Sequence, residues 1–132
     1  MIETSALDIN IPDVLVEVKA VFARYEQALV NNDVKTLDEM FWSSKHTIRY
    51  GSKESLYGQK AILAFRIARA GTGLTRTLQN TVITTYGRDF ATANTEFIRD
   101  SIPDKLGRQS QTWMRTAAGW KVVSAHISMI DL

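Results

Sequence analysis

The hydrophobic period of this chain changes once, at Gly73, and that switch sets the order of its architecture. Before it, apolar residues recur every three or four positions. After it they alternate, in stretches rich in Thr, Val, Ile, Phe and Trp. A period near 3.6 belongs to amphipathic helices, and a period of two to strands with one buried face. The chain therefore reads as helices first and sheet second, an α+β fold with a strongly bent antiparallel sheet wrapped around three N-terminal helices. At 132 residues, against roughly 150 per domain, it reads as a single domain over 1–132.

In the helical part, Val14, Val18, Val21, Phe22, Tyr25 and Leu29 mark one face of a helix from Pro12 to Leu29, with Pro12 in the tolerant first turn. Asn31-Asn32-Asp33 ends it and caps a shorter helix, Val34 to about Phe41, whose Leu37, Met40 and Phe41 face inward. His46 to Tyr50 alternates as a short strand closed by Gly51. A third helix spans about Gly58 to Ala70; it buries Ile62 and Phe65, with Ala61 and Ala68 as further candidates, and Gly71-Thr72-Gly73 stops it. Beyond that, Gly87-Arg88-Asp89, the stretch Ile102 to Gly107, and Ala117-Ala118-Gly119 punctuate four antiparallel strands in a meander.

Composition removes several function classes. With 45% apolar and 23% charged residues the chain can build a core. The absence of cysteine excludes disulfides, thiolate metal sites and cysteine nucleophiles. A net charge of +2 with the signs interspersed leaves no basic stripe for nucleic acid. Residues 1–12 lack the basic and apolar regions of a targeting signal, and no stretch approaches the ~18 apolar residues of a membrane span. The expectation is a soluble cytoplasmic protein with neither nucleic acid nor membrane as partner. His46 and His126 are not spaced as metal ligands, so no metal is expected, and neither a phosphate-binding glycine loop nor a G-x-S-x-G elbow occurs.

Strand parity then sorts the side chains of the last hairpin. With a loop of two or four residues, Gln109, Gln111 and Trp113 share a face with Trp120, Val122, Ser124, His126 and Ser128. The opposite face carries Met114, Val123, Ala125, Ile127 and Met129; a bulge would break the rule. Both indoles need burial, so the tryptophan face belongs inside, and the apolar opposite face suits a second subunit in a homodimer formed through the sheet. Gln109, Gln111, His126 and Ser128 on an interior face admit two readings, mutual hydrogen bonding with buried water or the polar lining of a ligand pocket. Tyr25 is the single hydroxyl on the first helix's stripe. Either Arg49 or Ile48 points inward. Arg66 and Arg69, beside Phe65, are either solvated charges or a pair converging on the cavity mouth, where guanidiniums could grip a carboxylate bidentately. Arg108 has outward parity, and Glu96 is either a buried base or a rim partner of Arg99 or Arg108.

The segment YGSKESLYGQKAILAF, with its Tyr57-Gly58-x-x-Ala61-Ile62-x-x-Phe65 pattern, and the closing GWKVVSAHIS resemble the NTF2-like, SnoaL-like superfamily of cone-shaped dimers over nearly the whole chain. More narrowly, RIARAG, TEF, GRQSQTWMR and GWKVVSAHISM are similar to a small bacterial group containing the 1,3-dicarboxyurea decarboxylase AtzH and the oxalurate-catabolism protein HpxZ. The resemblance implies a cofactor-free carboxy-lyase of s-triazine, cyanuric acid or ureide nitrogen catabolism, working beside amidase-type hydrolases and in association with one of them. It assigns catalysis to Tyr25 and Arg49, the helix tyrosine and the strand arginine before Tyr-Gly. Around them, Arg66, Arg69, Gln109, Gln111, His126, Ser128 and Trp42 form the expected binding set for a small anionic substrate. The alternatives are a non-catalytic carboxylate-binding subunit of an amidase, and an isomerase or dehydratase using Glu96 or His126 as base.

Overall fold

The structure, a computed structural model, describes residues 8–132; positions 1–7, part of the segment read for a targeting signal, lie outside the described residues. Helix α1, Pro12–Val30, has proline in its first turn, where the missing N–H has no intrahelical partner to lose. It buries Val14, Val18, Phe22, Tyr25, Ala28 and Leu29. Asp33 caps α2, Val34–Met40, by accepting hydrogen bonds from the Thr36 amide at 3.2 Å and the Thr36 hydroxyl at 2.7 Å. Phe41 lies just past that helix in extended backbone and bridges to Val122, so its ring faces the core from a strand-like position.

Two short strands follow, β1 at Ile48–Tyr50 and β2 at Ser55–Tyr57, then α3 at Gln59–Ala68. The long strands are β3 Arg76–Tyr86, β4 Phe90–Arg99, β5 Lys105–Thr116 and β6 Gly119–Asp131. They build one six-stranded sheet in the order β2-β1-β6-β5-β4-β3, with β1 parallel to β6 and every other pair antiparallel. One sheet face and the helices enclose a core of Val14, Val18, Phe22, Leu37, Ile62, Trp113 and Val122. Among the described residues, no helix is long and apolar enough to cross a membrane.

One irregularity overturns the expected face assignment. Thr112 pairs with Ser124, but Trp113 pairs with Val122, which leaves Val123 as an extra residue on β6. Such a bulge advances the alternation by one residue. On the hairpin side of it, Trp113, Trp120 and Val122 are buried; beyond it, Gln109 and Gln111 stand opposite Ile127 and Ala125, and all four are buried. His126 and Ser128 therefore lie on the outer face, not with Gln109 and Gln111 as parity alone required. The outer face is correspondingly not a continuous apolar surface, since Ser110, Thr112, Ser124, His126 and Ser128 occupy it while Ala125 and Ile127 point in. In α3 the buried pair is Ile62 and Arg66, whereas Phe65 is half-buried and Ala68 exposed.

Candidate active site

Five arginines from four elements turn toward the interior. Arg49 comes from β1, Arg66 from α3, Arg69 from its C-cap, and Arg76 and Arg99 from directly opposed positions on β3 and β4. Arg66 is 0% exposed, Arg49 3% and Arg76 8%. Each guanidinium rests on an aromatic ring. Arg66 lies 4.8 Å from the Phe41 centroid; Arg49 and Arg69 lie 5.0 and 5.6 Å from that of Phe65; Arg76 and Arg99 lie 4.3 and 6.0 Å from that of Phe97. A cation–π contact returns about 0.5–2 kcal/mol, whereas withdrawing an ion from water costs several kcal/mol. Stacking alone cannot hold these charges inside.

Direct ion pairs neutralise two of the five. Glu26 of α1 receives two hydrogen bonds from Arg76, at 3.0 and 2.6 Å, and Glu54, between β1 and β2, receives one from Arg49 at 2.9 Å. Arg66, Arg69 and Arg99 have no carboxylate partner among the described residues. All three nitrogens of the Arg66 guanidinium are buried without an acceptor, as are two on Arg69 and one each on Arg49, Arg76 and Arg99. The glutamines extend the same imbalance. Gln109 Oε1 accepts from Arg76 at 3.0 Å and Gln111 Oε1 accepts from the Trp113 indole at 3.1 Å, which leaves both amide nitrogens as buried, unused donors.

Tyr25 presents the phenol at this cluster. It is 1% exposed, its ring meets Trp113 edge-on at 6.3 Å, and it packs tilted against Phe41 at 6.2 Å. Burial by itself raises a phenol's pKa, but the guanidiniums of Arg66, Arg49 and Arg76 outweigh it and hold Tyr25 below its ordinary value of 10.0. Tyr25 is thus a stronger acid than a free tyrosine, with cations at hand to stabilise the phenolate. Burial, then the repulsion of Arg66 and Arg49, lowers Arg69 to about 10; burial likewise depresses Arg66. Among the described residues no three His, Asp or Glu side chains gather as a metal-ligand set.

The structure thus brings Tyr25, Arg49, Arg66, Arg69, Gln109 and Gln111 to one interior region. His126 sits outside, its ring 5.6 Å from that of Tyr50, and Ser128 accepts a hydrogen bond from the outward Arg108. Trp42 is half-buried and lines a separate surface cleft with Asp38, Gln59 and Lys121. Glu96 is not a buried base, since hydrogen bonds from Asn80 and Gln79 on the sheet's outer side satisfy it and hold its pKa low. Glu96 is thereby removed as the base of the isomerase reading, whereas His126 stands at a cleft that Arg99 also lines.

Arg76, Arg99, Glu26 and Phe97 were not anticipated. A signal existed for the β4 residues, because Ala91, Ala93, Thr95, Phe97 and Arg99 alternate on one face and the first four are buried. Phe97, the shared platform of two guanidiniums, lies across from Gly107, where a Cβ would approach the ring to 2.2 Å. Gly107→Ala should force that ring aside at a cost of about 1–3 kcal/mol, to be read as a lowered thermal midpoint. A cleft of about 500 Å³ is walled by Gly51, Ser52, Lys53, Lys105 and Ile127 together with Arg99, His126 and Ser128, so the two outer-face residues meet one arginine of the cluster at the surface.

The AtzH-like family model matches residues 7–132. A solved protein of unknown function from the DUF3225 family of Pectobacterium atrosepticum is 54% identical, with a TM-score of 0.91 over 94% of this chain and 96% of that one. A cystatin-like fold protein from Burkholderia xenovorans is 44% identical, with a TM-score of 0.91 over 96% of this chain and 99% of that one. A putative dehydratase of the NTF2-like family from Streptomyces avermitilis is 15% identical, with a TM-score of 0.74 over 89% and 97%, and shows likeness of fold alone. No curated protein matches the chain.

Proposed function

We propose, from the premise that the chain belongs to the AtzH-like family, that it is a cofactor-independent decarboxylase of a small N-carboxylated urea. 1,3-Dicarboxyurea is the substrate that the family resemblance points to, and urea-1-carboxylate is the product, within cyanuric acid or ureide nitrogen breakdown. The observation that carries this reading is the Arg66 guanidinium, fully buried with every nitrogen unpartnered beside an acidified phenol. A buried region with surplus donors and few free acceptors suits a ligand made of acceptors. A dicarboxylated urea offers two carboxylates and a carbonyl.

The chemistry asks little beyond such a place. Breaking the bond between nitrogen and carboxylate expels an amide anion unless the nitrogen gains a proton as the bond parts. In the proposed step Tyr25 delivers that proton, the N–C electron pair stays on nitrogen, and the carboxylate leaves as CO2; water reprotonates the phenolate. Arg49 orients the departing carboxylate, Arg66 and Arg69 hold the distal one, and the free amide N–H groups of Gln109 and Gln111 donate to the urea carbonyl. Interactions with the distal carboxylate persist unchanged through the reaction and so lower KM, while proton delivery develops only in the transition state and raises kcat.

The test is turnover. Purified protein given 1,3-dicarboxyurea, with its free metal chelated, is expected to release one CO2 per molecule and leave urea-1-carboxylate. Binding without CO2 release would instead identify a carboxylate-binding subunit.

A further inference from the structure

The turn joining β1 to β2 places a carboxylate on a residue assigned above to the substrate. Glu54 bonds Arg49 Nη1 at 2.9 Å and folds back over Gly51, whose N–H donates to the Glu54 carbonyl at 2.9 Å. A Cβ on Gly51 would stand 1.8 Å from Glu54 Oε1. Gly51 does not have positive φ, so its backbone conformation does not demand glycine; the occupied space does. The Arg49 side chain is 4% exposed, but that of Glu54 is 24% exposed, and Gly51, Ser52 and Lys53 of the same turn wall the cleft that Arg99 also lines. The acids of the two ion pairs are similarly exposed, 19% for Glu26 and 24% for Glu54, but differ in their hold: Glu26 is fixed to a long helix and bonded twice by Arg76, whereas Glu54 hangs on a tight turn and is bonded once.

We infer that Glu54 is a resident counter-ion of Arg49 that the substrate's carboxylate displaces on entry and that returns when the carboxylate leaves as CO2. The inference rests on the reading that Arg49 holds a ligand carboxylate. Exchange of one carboxylate for another at Arg49 keeps the guanidinium paired throughout, and the released Glu54 regains water at the cleft. Loss of neutral CO2 leaves Arg49 without an anion, so the return of Glu54 favours departure over rebinding. Displacement also taxes affinity: if Glu54 vacates Arg49 about one-tenth of the time, a ligand that needs Arg49 binds about tenfold more weakly than it would to an open site.

Two variants attack the pair from opposite sides. Glu54→Gln keeps the side chain's shape and removes its charge; Gly51→Ala keeps the charge and evicts the carboxylate by collision with its flexible end. Calorimetric titration with malonate, a small dicarboxylate, is expected to show both variants binding about tenfold tighter than the parent protein. Equal or weaker binding by both variants overturns the inference and makes Glu54 a positioning residue for Arg49. Failure of the parent protein and both variants alike to bind malonate would overturn the anion-binding reading itself, and this inference with it.

Discussion

Tyr25→Phe is expected to lower kcat about 10²–10⁴-fold while changing KM only a few-fold. The substitution is unusually clean here. The ring's edge-on contact with Trp113 and its packing on Phe41 use carbon atoms that phenylalanine retains, so the fold loses only a hydroxyl. What disappears is the acid that gives the leaving nitrogen its proton, a contribution confined to the transition state. A second readout separates this role from a structural one. The parent enzyme's rate should fall on the alkaline side as the phenol ionises, at a pH below the ordinary tyrosine value of 10.0, because the surrounding guanidiniums favour the phenolate. The residual rate of the phenylalanine variant should lack that alkaline limb. Retention of full activity, or of the limb, would remove Tyr25 from the chemistry.

Arg66→Met should separate stability from function in the opposite sense. A guanidinium with no exposed surface and no acceptor for any nitrogen is a cost to the folded state that the Phe41 ring only partly offsets. Methionine fills similar volume without charge, and replacing buried ionic groups with apolar ones is often stabilising, by about 1–4 kcal/mol. At roughly 4 °C for each kcal/mol in a chain of this length, the thermal midpoint should rise by several degrees. Ligand affinity should collapse, since the least compensated donor of the site is gone. A residue retained against stability is one whose partner arrives from outside the chain.

Much of this arrangement is legible in the residues themselves. The period switch at Gly73 gave the division into helices and sheet, since helical and strand spacings cannot be confused over such long segments. The placement of Tyr25 followed from its stripe, and family resemblance singled out Arg49. Other features were hidden for physical reasons. Strand β2 has three residues and no room for periodicity. The bulge at Val123 arises from how β6 pairs with β5, a nonlocal property, and it alone moved His126 and Ser128 to the outer face. Spacing alone left Arg66 as either a solvated charge or a cation at a cavity mouth, and only the family resemblance placed it in the binding set. Its burial depends on Phe41 arriving from another element to support it. Glu54 was invisible as a counter-ion because its contact with Arg49 is made by a turn of the backbone.

The most direct measurement is the thermal midpoint of the parent protein and Arg66→Met side by side, with and without malonate. A ligand at about 100 times its Kd stabilises by about 2.7 kcal/mol, so the parent midpoint should climb by roughly ten degrees at about 4 °C per kcal/mol, while the methionine variant, starting higher, should stay where it began. Equal malonate shifts in the two proteins would place the anion elsewhere and contradict a binding site built on Arg66 and Tyr25.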